Sequence, residues 1–570
     1  MLKLKKTIAD KFRVGKKELN EIPLEEEKEQ NGEQFGSTFG IVMSCLGCVV
    51  GTGNIWRFPR ICASASGNEG ALCFLFIWAL FLFIWSQPII TIEYTFGRFG
   101  RCSLIANCRK FLGNNYIWTA LWIVCTTALI TSYYAVVVGW CVYYMGLSMV
   151  LPELPSDKET SLNIFNHYTE ETYWPVLTHA VTVFLVGSFL FGGIRIVEKV
   201  NMILVPTLLA IIIFTFVWSL TRPYAETGLL FLFTPDWSSL TNPNVWISAC
   251  AQNALDTGAG QGLFATYAAY FTRKDSSVKY GSTIPVANNV VSLVCGITVL
   301  TTVFSTLVFD SPFYTTIHIS QIIKDTGPGA TGLTFTWIPV LFSKVGIMGR
   351  VLCFLFFFCL SIAGSTSLLS SFTCIQNTLE NFDVPRKYAA SATLAYGFIS
   401  GLPSAFSIHY LSNQDSVWTY ALIISGGLAG FIVIKYGSFS YMKNIVNNYG
   451  IGDWKLTRAW PIIIMVLVPT QTLFLVGWYI YDNIANDKYW YIPSIYSISM
   501  TLIQWLILLI TILLMNIIMV KSNLINRMDK FSLLGDDPIN LTYELTSDII
   551  REGNEEAKGI PQQRMETDKI

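Results

Sequence analysis

Charged residues are scarce in this 570-residue chain: Asp, Glu, Lys and Arg make up 13% of it, while hydrophobic residues make up 52%. A soluble domain usually carries about 25% charged residues. A soluble chain of this length could not cover its surface with so few. The high apolar content also excludes collagen-like, coiled-coil and disordered chains, so a polytopic membrane protein remains.

Other shortages exclude further classes. The formal net charge is zero, so nothing attracts a nucleic acid. None of the 13 cysteines falls in 151–243, where an outer loop would hold disulfides, which favours reduced, structural cysteines. The four histidines are far apart, and no His-Glu-x-x-His, Gly-x-Ser-x-Gly or phosphate-binding loop occurs. We therefore predict that the protein is not an enzyme.

Twelve segments are apolar over the roughly 20 residues that a helix needs to cross a bilayer. They are 37–64, 71–97, 117–150, 172–190, 198–219, 244–270, 281–311, 345–381, 387–404, 416–436, 460–482 and 494–520. Residues 1–35 and 521–570 are polar and predict two tails, neither of which resembles a cleavable signal peptide.

Basic residues follow the even-numbered spans, whereas the alternate loops are acidic or neutral. This asymmetry predicts that both termini are cytoplasmic. We expect the protein to lie in the plasma membrane. The basic residues are Arg98, Arg101, Arg109, Lys110, Arg195, Lys199, Arg273, Lys274, Lys279, Arg386, Lys387, Lys443, Lys455 and Arg458.

Glycine interrupts two of the spans. Residues 51–54 of span one read Gly-Thr-Gly-Asn, and residues 256–262 of span six read Asp-Thr-Gly-Ala-Gly-Gln-Gly. Each glycine weakens a helix by about 1 kcal/mol relative to alanine. Unwound backbone at membrane depth is tolerated only where it lines a cavity or is buried in protein. Matching breaks in two halves indicate a transport site, and close packing of helices through small residues is the alternative.

Residues 51–59, Gly-Thr-Gly-Asn-Ile-Trp-Arg-Phe-Pro, resemble the first-helix signature of the neurotransmitter:sodium symporter family. Further matches follow in order within residues 36–520: Glu93-Tyr94, Ser132-Tyr133-Tyr134, 252–262, Asn288, Gly327-Pro-Gly329 and 363–367. The resemblance implies an all-α membrane protein with two inverted five-helix repeats, at about 36–220 and 244–436. Helices 1 and 6 would be broken, and helices 11 and 12 would lie at about 460–520. The implied function is import of a small amino acid or amino-acid derivative together with sodium, by alternating access.

The resemblance also implies two sodium sites, built from oxygen atoms as hard cations require. One would use the Val49 carbonyl, the side chains of Asn54 and Asn288, and position 256. The other would use Gly47, Val50, Ala363, Thr366 and Ser367. For the two hydroxyls, hydrogen bonds back to their own helix are the alternative.

Asp256 departs from the family pattern, which usually has Thr or Ser there. An ionised carboxylate at mid-membrane needs a partner; sodium is the obvious one, and protonation is the alternative. Many animal members bind chloride nearby, through a tyrosine of span two and the counterparts of Gln252 and Ser292. No tyrosine lies between residues 71 and 85 of this chain. We therefore predict that Asp256 supplies the charge that chloride supplies elsewhere, and that chloride is not required.

Gly51 favours a substrate that carries its own carboxylate, because monoamine members have Asp at that position. Backbone N–H groups near Gly53, at a half-helix N-terminus, and the Tyr134 hydroxyl would receive the carboxylate. The opposite wall would include Leu255, Gly258, Gln261 and Ser371.

Arg57 and Asp415, the latter predicted at the start of span ten, would form an extracellular gate. Two separate solvated charges are the alternative. A non-transporting amino-acid sensor or sodium-gated receptor on the same fold is the alternative to a symporter. The sequence predicts no oligomeric state.

Overall fold

The structure is a computed structural model that describes residues 33–67, 69–310, 313, 315–324 and 333–522. Within these residues the backbone forms helices and no strand. Nearly all of the two predicted tails and the whole of Gly327-Pro-Gly329 lie outside the described residues, so the interpretation of those segments stays a prediction.

The described backbone forms twelve successive spanning helices, since a chain in hydrocarbon must satisfy its peptide groups within its own helix. Helix 1 has two parts, Thr38–Val49 (1a) and Gly53–Ala65 (1b), and helix 6 has two parts, Pro243–Thr257 (6a) and Leu263–Ala268 (6b). The others are helix 2 (Leu72–Gly100), 3 (Ile117–Val150), 4 (Trp174–Ser188), 5 (Gly193–Leu220), 7 (Ser277–Asp310), 8 (Ile347–Glu380), 9 (Arg386–Phe406), 10 (Ile408–Tyr436), 11 (Ala459–Asn486) and 12 (Ile498–Lys521).

Helices 4 and 5 share one apolar stretch, Trp174–Leu220, of 47 residues. A single helix of that length would measure about 70 Å, twice what a bilayer needs. The turn Phe189–Gly192, followed by Gly193 at φ +66°, divides it in two. Length and apolarity alone select eight described stretches, this one included, and a ninth when the bent first helix is counted. Dividing this stretch and adding helices 6 and 9 completes the twelve.

Helix 10 begins at Ile408, earlier than the predicted start at residue 416. Ser407 caps it by accepting a hydrogen bond from an N–H of its first turn. The polar residues that suggested a loop are paired inside the protein; Gln414, for example, accepts a 2.7 Å bond from the Trp418 indole. Asp415 therefore lies two turns inside helix 10, and its predicted place at the helix start is wrong.

The two glycine clusters interrupt their helices as predicted. Helix 1 bends by 49° between its two parts. Helix 6 is interrupted where Gly258, Gly260 and Gly262 all adopt positive φ, at +67°, +93° and +74°. Both breaks are buried at the centre of the bundle, where helix 3 packs against helices 8 and 10. They are five helices apart, which is the spacing that a five-helix repeat predicts.

Candidate functional site

The break in helix 1 satisfies its own backbone. The Gly51 N–H donates to the Asn54 side-chain oxygen at 2.8 Å and to the Val49 carbonyl at 2.8 Å. A helix start leaves its first N–H groups without partners in the helix, and a nearby amide oxygen is a common substitute. Asn54, predicted as an ion ligand, therefore also shapes the break.

The break in helix 6 is held by a buried carboxylate of helix 2. Glu93 accepts hydrogen bonds from the Gly260 N–H at 2.8 Å and the Phe264 N–H at 3.2 Å, and an acid is favourable at the start of helix 6b. Thr127 of helix 3 donates to the Gln261 carbonyl at 2.7 Å. In the sequence Glu93 stands out only as part of a family match, yet an acid inside a predicted span by itself indicates a functional residue.

The residues predicted for the first sodium site come together between helices 1, 6 and 7. The Asn54 amide donates to Asn288 Oδ1 at 2.8 Å and to Ser292 Oγ at 2.7 Å. Ser292 in turn donates to Asp256 Oδ2 at 2.7 Å. All four side chains are buried. Ser292, expected only as a chloride ligand, links the two halves of the cluster.

One oxygen of this cluster has no well-formed hydrogen bond among the described residues. Asp256 Oδ1 is buried, and it lies 3.1 Å from the point where a Cβ on Gly53 would stand. The Gln252 amide, one turn earlier in helix 6a, also lacks a well-formed bond, but it lies close enough to interact with the carboxylate. A buried carboxylate oxygen without a partner is costly, and a cation removes that cost. The donor set therefore fits a sodium ion.

The second predicted sodium site is assembled less completely. Ser367 Oγ of helix 8 donates to the Gly47 carbonyl of helix 1a at 3.3 Å. The Thr366 hydroxyl donates instead to the Ala363 carbonyl of its own helix at 3.0 Å, which is the alternative that sequence left open. Val50, fully buried, follows the last residue of helix 1a.

Helices 1, 3 and 8 meet at Gly51. A Cβ there would stand 2.7 Å from Ser367 Oγ and 3.1 Å from the Tyr134 hydroxyl. Tyr134 accepts bonds from the Thr52 N–H at 3.3 Å and the Thr52 hydroxyl at 3.1 Å. Its own proton stays available for an acceptor such as a carboxylate. Thr52, which has no predicted role, holds this tyrosine in place.

The remaining predicted lining residues surround the same central region. Tyr134, Leu255 and Ser367 are partly exposed although they stand in the middle of the bundle, which indicates a space between these helices. Gly258 faces Val49 of helix 1a, with its Cβ position 3.5 Å from the valine methyl. Ser371 lies one turn after Ser367 on helix 8 and donates to its carbonyl at 3.1 Å.

At one end of this space the predicted gate residues form an ion pair. Arg57 Nη1 of helix 1b lies 2.8 Å from Asp415 Oδ1 of helix 10, with side-chain exposures of 14% and 19%. Tyr133 donates to the same oxygen at 3.2 Å, and Arg57 also donates to Thr419 at 3.3 Å. The two charges are therefore not separately solvated.

At the opposite end the chain before helix 1a covers the bundle. Phe35 packs edge-on against Tyr267 and Phe271, with ring centroids 5.9 Å apart in each case. The buried Glu198 of helix 5 accepts bonds from the Gly36 N–H at 2.7 Å and the Ser37 N–H at 3.0 Å. These contacts hold the chain before helix 1a against helices 5 and 6b.

Comparison with known proteins gives the same interpretation. A profile described as the sodium:neurotransmitter symporter family matches residues 32–174 and 165–525. An uncharacterized sodium-dependent transporter of Methanocaldococcus jannaschii is 28% identical over 507 residues, covering 86% of this chain and 99% of the relative. One from Bacillus subtilis is 26% identical, covering 78% and 97%. The solved structure of MhsT in complex with L-phenylalanine matches with a TM-score of 0.66 at 23% identity, covering 78% of this chain and 98% of that one.

The fold, the breaks in helices 1 and 6 and the relatives together define a sodium-dependent membrane transporter rather than an enzyme. The chain belongs to the sodium:neurotransmitter symporter family. The predicted fold, with twelve helices in which two inverted five-helix repeats contain broken helices 1 and 6, is thereby confirmed.

Proposed function

We propose that this protein is a symporter that imports an amino acid or an amino-acid derivative with two sodium ions and without chloride. The observation that carries the proposal is the buried Oδ1 of Asp256, which has no well-formed hydrogen bond among the described residues and lies beside the broken helices 1 and 6. An ionised carboxylate there would place a negative charge where a cation would join the two breaks.

The substrate carboxylate would lie against Gly51 and the helix 1b N-terminus, within reach of the Tyr134 proton. The substrate side chain would extend toward Leu255, Gly258, Gln261 and Ser371. L-Phenylalanine, the ligand in the MhsT structure, is an amino acid that carries its own carboxylate, which supports this arrangement.

Transport would proceed by alternating access, with the Arg57–Asp415 pair as the extracellular closure and the contacts of Phe35 and Glu198 as the cytoplasmic one. The basic loops after the even-numbered helices support this orientation in the plasma membrane.

Two sodium ions supply enough energy for this function. Each ion gains about 2.3 kcal/mol from a 100 mV potential and about 1.4 kcal/mol from a tenfold gradient. The sum, roughly 7 kcal/mol, supports a substrate concentration ratio near 10⁵.

The test is uptake of a labelled amino-acid panel into proteoliposomes, with sodium or choline outside and with chloride or gluconate as the anion. We expect sodium-driven accumulation of one class of amino acid at equal rates in both anions. Loss of most uptake in gluconate would refute chloride independence. Sodium-dependent binding or current without accumulation would favour the alternative, a sensor or sodium-gated receptor on this fold.

A further inference from the structure

Arg60 of helix 1b is a guanidinium without a carboxylate of its own. It is half-buried, and its buried Nε has no hydrogen bond among the described residues. It also belongs to none of the ion pairs in the described part of the chain. A charged side chain within a spanning helix is costly, and such residues are usually paired or functional. Arg60 is therefore a candidate functional residue that neither the sodium sites nor the gate pair uses.

The side chain of Arg60 lies at the outer closure. Arg60 follows Arg57 by three residues, so the two guanidiniums share a face of helix 1b about 4.5 Å apart along its axis. Among the described residues, the charged groups near enough to act on Arg60 are Arg57 and Asp415. Ser64, which is exposed, lies one turn further along the same face. The entrance outside the gate is therefore bordered by two positive charges of helix 1b and one negative charge of helix 10.

Arg60 determines the sign of the charge at this entrance. Arg57 and Asp415 cancel each other as a pair, whether the two side chains are in contact or have separated. The net positive charge therefore comes from Arg60. Salt screens partly buried charges less than charges on an open surface, and positive side chains that line a pore favour anions over cations.

We propose that Arg60 is a specificity-determining residue at the outer entrance, where it repels cationic amines and favours amino acids of zero or negative net charge. The proposal rests on the proposed function, in which the substrate enters past the Arg57–Asp415 pair. Asp256 lies beneath this entrance and, when ionised, attracts cations of any kind. Sodium is abundant outside the cell and tolerates repulsion at the entrance, whereas a dilute organic amine does not.

The first measurement tests the charge at the entrance directly. Ser64→Cys places a thiol on the face that carries Arg60, while the native cysteines are buried except for the half-buried Cys125. A negatively charged and a positively charged methanethiosulfonate of similar size report the local potential through the ratio of their reaction rates with this thiol. The anion-to-cation ratio should fall about tenfold in Arg60→Gln, because loss of the charge slows the anion and speeds the cation. Arg60→Lys keeps the charge and should keep the ratio.

The second measurement tests selectivity as inhibition of sodium-driven uptake into proteoliposomes by lysine and by norleucine. These amino acids have the same chain length, and lysine adds a positive charge at the end. In Arg60→Gln, the half-inhibiting concentration of lysine should fall about tenfold relative to that of norleucine. Arg60→Lys should keep the wild-type relation. A merely structural role would change the two concentrations together and leave their ratio unaltered.

Arg222→Gln is the matched control. Arg222 is also half-buried with a buried, unbonded Nε, and its guanidinium lies over the Trp218 ring at 5.5 Å, at the end of helix 5. It is not among the charges that act on Arg60, so its loss should leave both ratios unchanged. If Arg60→Gln does not fold, Arg60→Met replaces it, because methionine keeps the apolar stem and removes the charge.

An unchanged rate ratio in the neutral Arg60 variant would overturn the proposal, and so would the absence of any gain by lysine over norleucine. Equal changes in Arg222→Gln would also overturn it, because the effect would then come from the total charge of the outer surface. A wild-type protein without sodium-driven uptake would instead reject the proposed function, while the thiol reaction would still measure the charge at the entrance. The two failures are therefore distinguishable.

Discussion

Replacing Asp256 with asparagine tests whether its carboxylate binds sodium. The substitution keeps the shape of the side chain and removes its charge. The Ser292 hydroxyl, which donates to Oδ2 at 2.7 Å, can still pair with the new side chain. The oxygen that faces Gly53 without a well-formed hydrogen bond becomes a neutral atom, so the change isolates the electrostatic contribution.

The expected magnitude follows from Coulomb's law. Two unit charges 4 Å apart at an effective dielectric constant of 20 attract by about 4 kcal/mol. Removing the sodium ion from water offsets part of this attraction. A net loss of about 2 kcal/mol raises the sodium concentration at half-saturation about thirtyfold.

The assay is the thermal stability of the purified protein as sodium replaces choline at constant ionic strength, in chloride and in gluconate. The midpoint is the sodium concentration that gives half of the stabilisation, and it should be the same for wild type in both anions. In gluconate, the midpoint of Asp256→Asn should be about thirtyfold higher than that of wild type, the size expected for a loss of ~2 kcal/mol. Asp256→Ser, which restores the residue type usual in the family, should bind sodium more tightly in chloride than in gluconate. Ser292→Ala is the control, since it removes a bond to Asp256 and keeps the charge; its midpoint should not depend on the anion.

A midpoint for Asp256→Asn close to that of wild type would refute the reasoning, because the carboxylate would then contribute nothing to sodium binding. A wild-type midpoint that shifts between chloride and gluconate would refute the idea that Asp256 replaces the anion.

Three further changes test the rest of the site. Arg57→Gln or Asp415→Asn breaks a pair that is less than one-fifth exposed, and uptake should fall about tenfold or more. Glu93→Gln removes one charge-assisted bond to the start of helix 6b and should cost about 2 kcal/mol of stability, seen as a lower unfolding temperature, with the exposed Glu226→Gln as control. Gly51→Ala places a methyl group 2.7 Å from a serine hydroxyl of helix 8, so substrate-dependent stabilisation should weaken more than sodium binding.

Each of these has a contradicting result. Normal uptake in both gate variants would show that the ion pair does not contribute to closure. An unchanged unfolding temperature in Glu93→Gln would mean that the N–H groups of helix 6b find other partners. Equal losses of sodium and substrate binding in Gly51→Ala would indicate a collapsed break rather than a blocked substrate position.

The fold was predictable because its signals are local and strong. Apolar length defines the spans, and glycine clusters beside Asn54 and Asp256 mark the two breaks. The start of helix 10 was not predictable in the same way. Its first turns carry Asn413, Gln414 and Asp415, which resemble a loop unless their partners are known. Asn413 and Gln414 pair with helix 12 and the segment just before it, and Asp415 pairs with helices 1b and 3. Only the three-dimensional packing supplies that information.

The candidate site, like the fold, was predictable in part. Motif matching grouped Asn54, Asn288 and Asp256, and the structure brings them within one hydrogen-bonded cluster. It did not reveal that Thr366 bonds to its own helix, because a hydroxyl on a helix has both options and sequence does not choose between them. Nor did it give a role to Thr52, whose partner Tyr134 lies on another helix that is distant in sequence.

Under the proposed function, the contacts of helix 1 explain why sodium binding should govern both closures. Helix 1b carries Arg57, which closes one end, and the start of helix 1a is held by Glu198 at the other. The expected sodium ligands are divided between the two parts, with Gly47 and Val49 on 1a and Asn54 on 1b. An ion that binds both parts fixes their relative orientation across the 49° bend, whereas an empty site leaves each part free to follow its own closure. Sodium would therefore act on the hinge itself, so loss of a ligand from either half should weaken control of both ends.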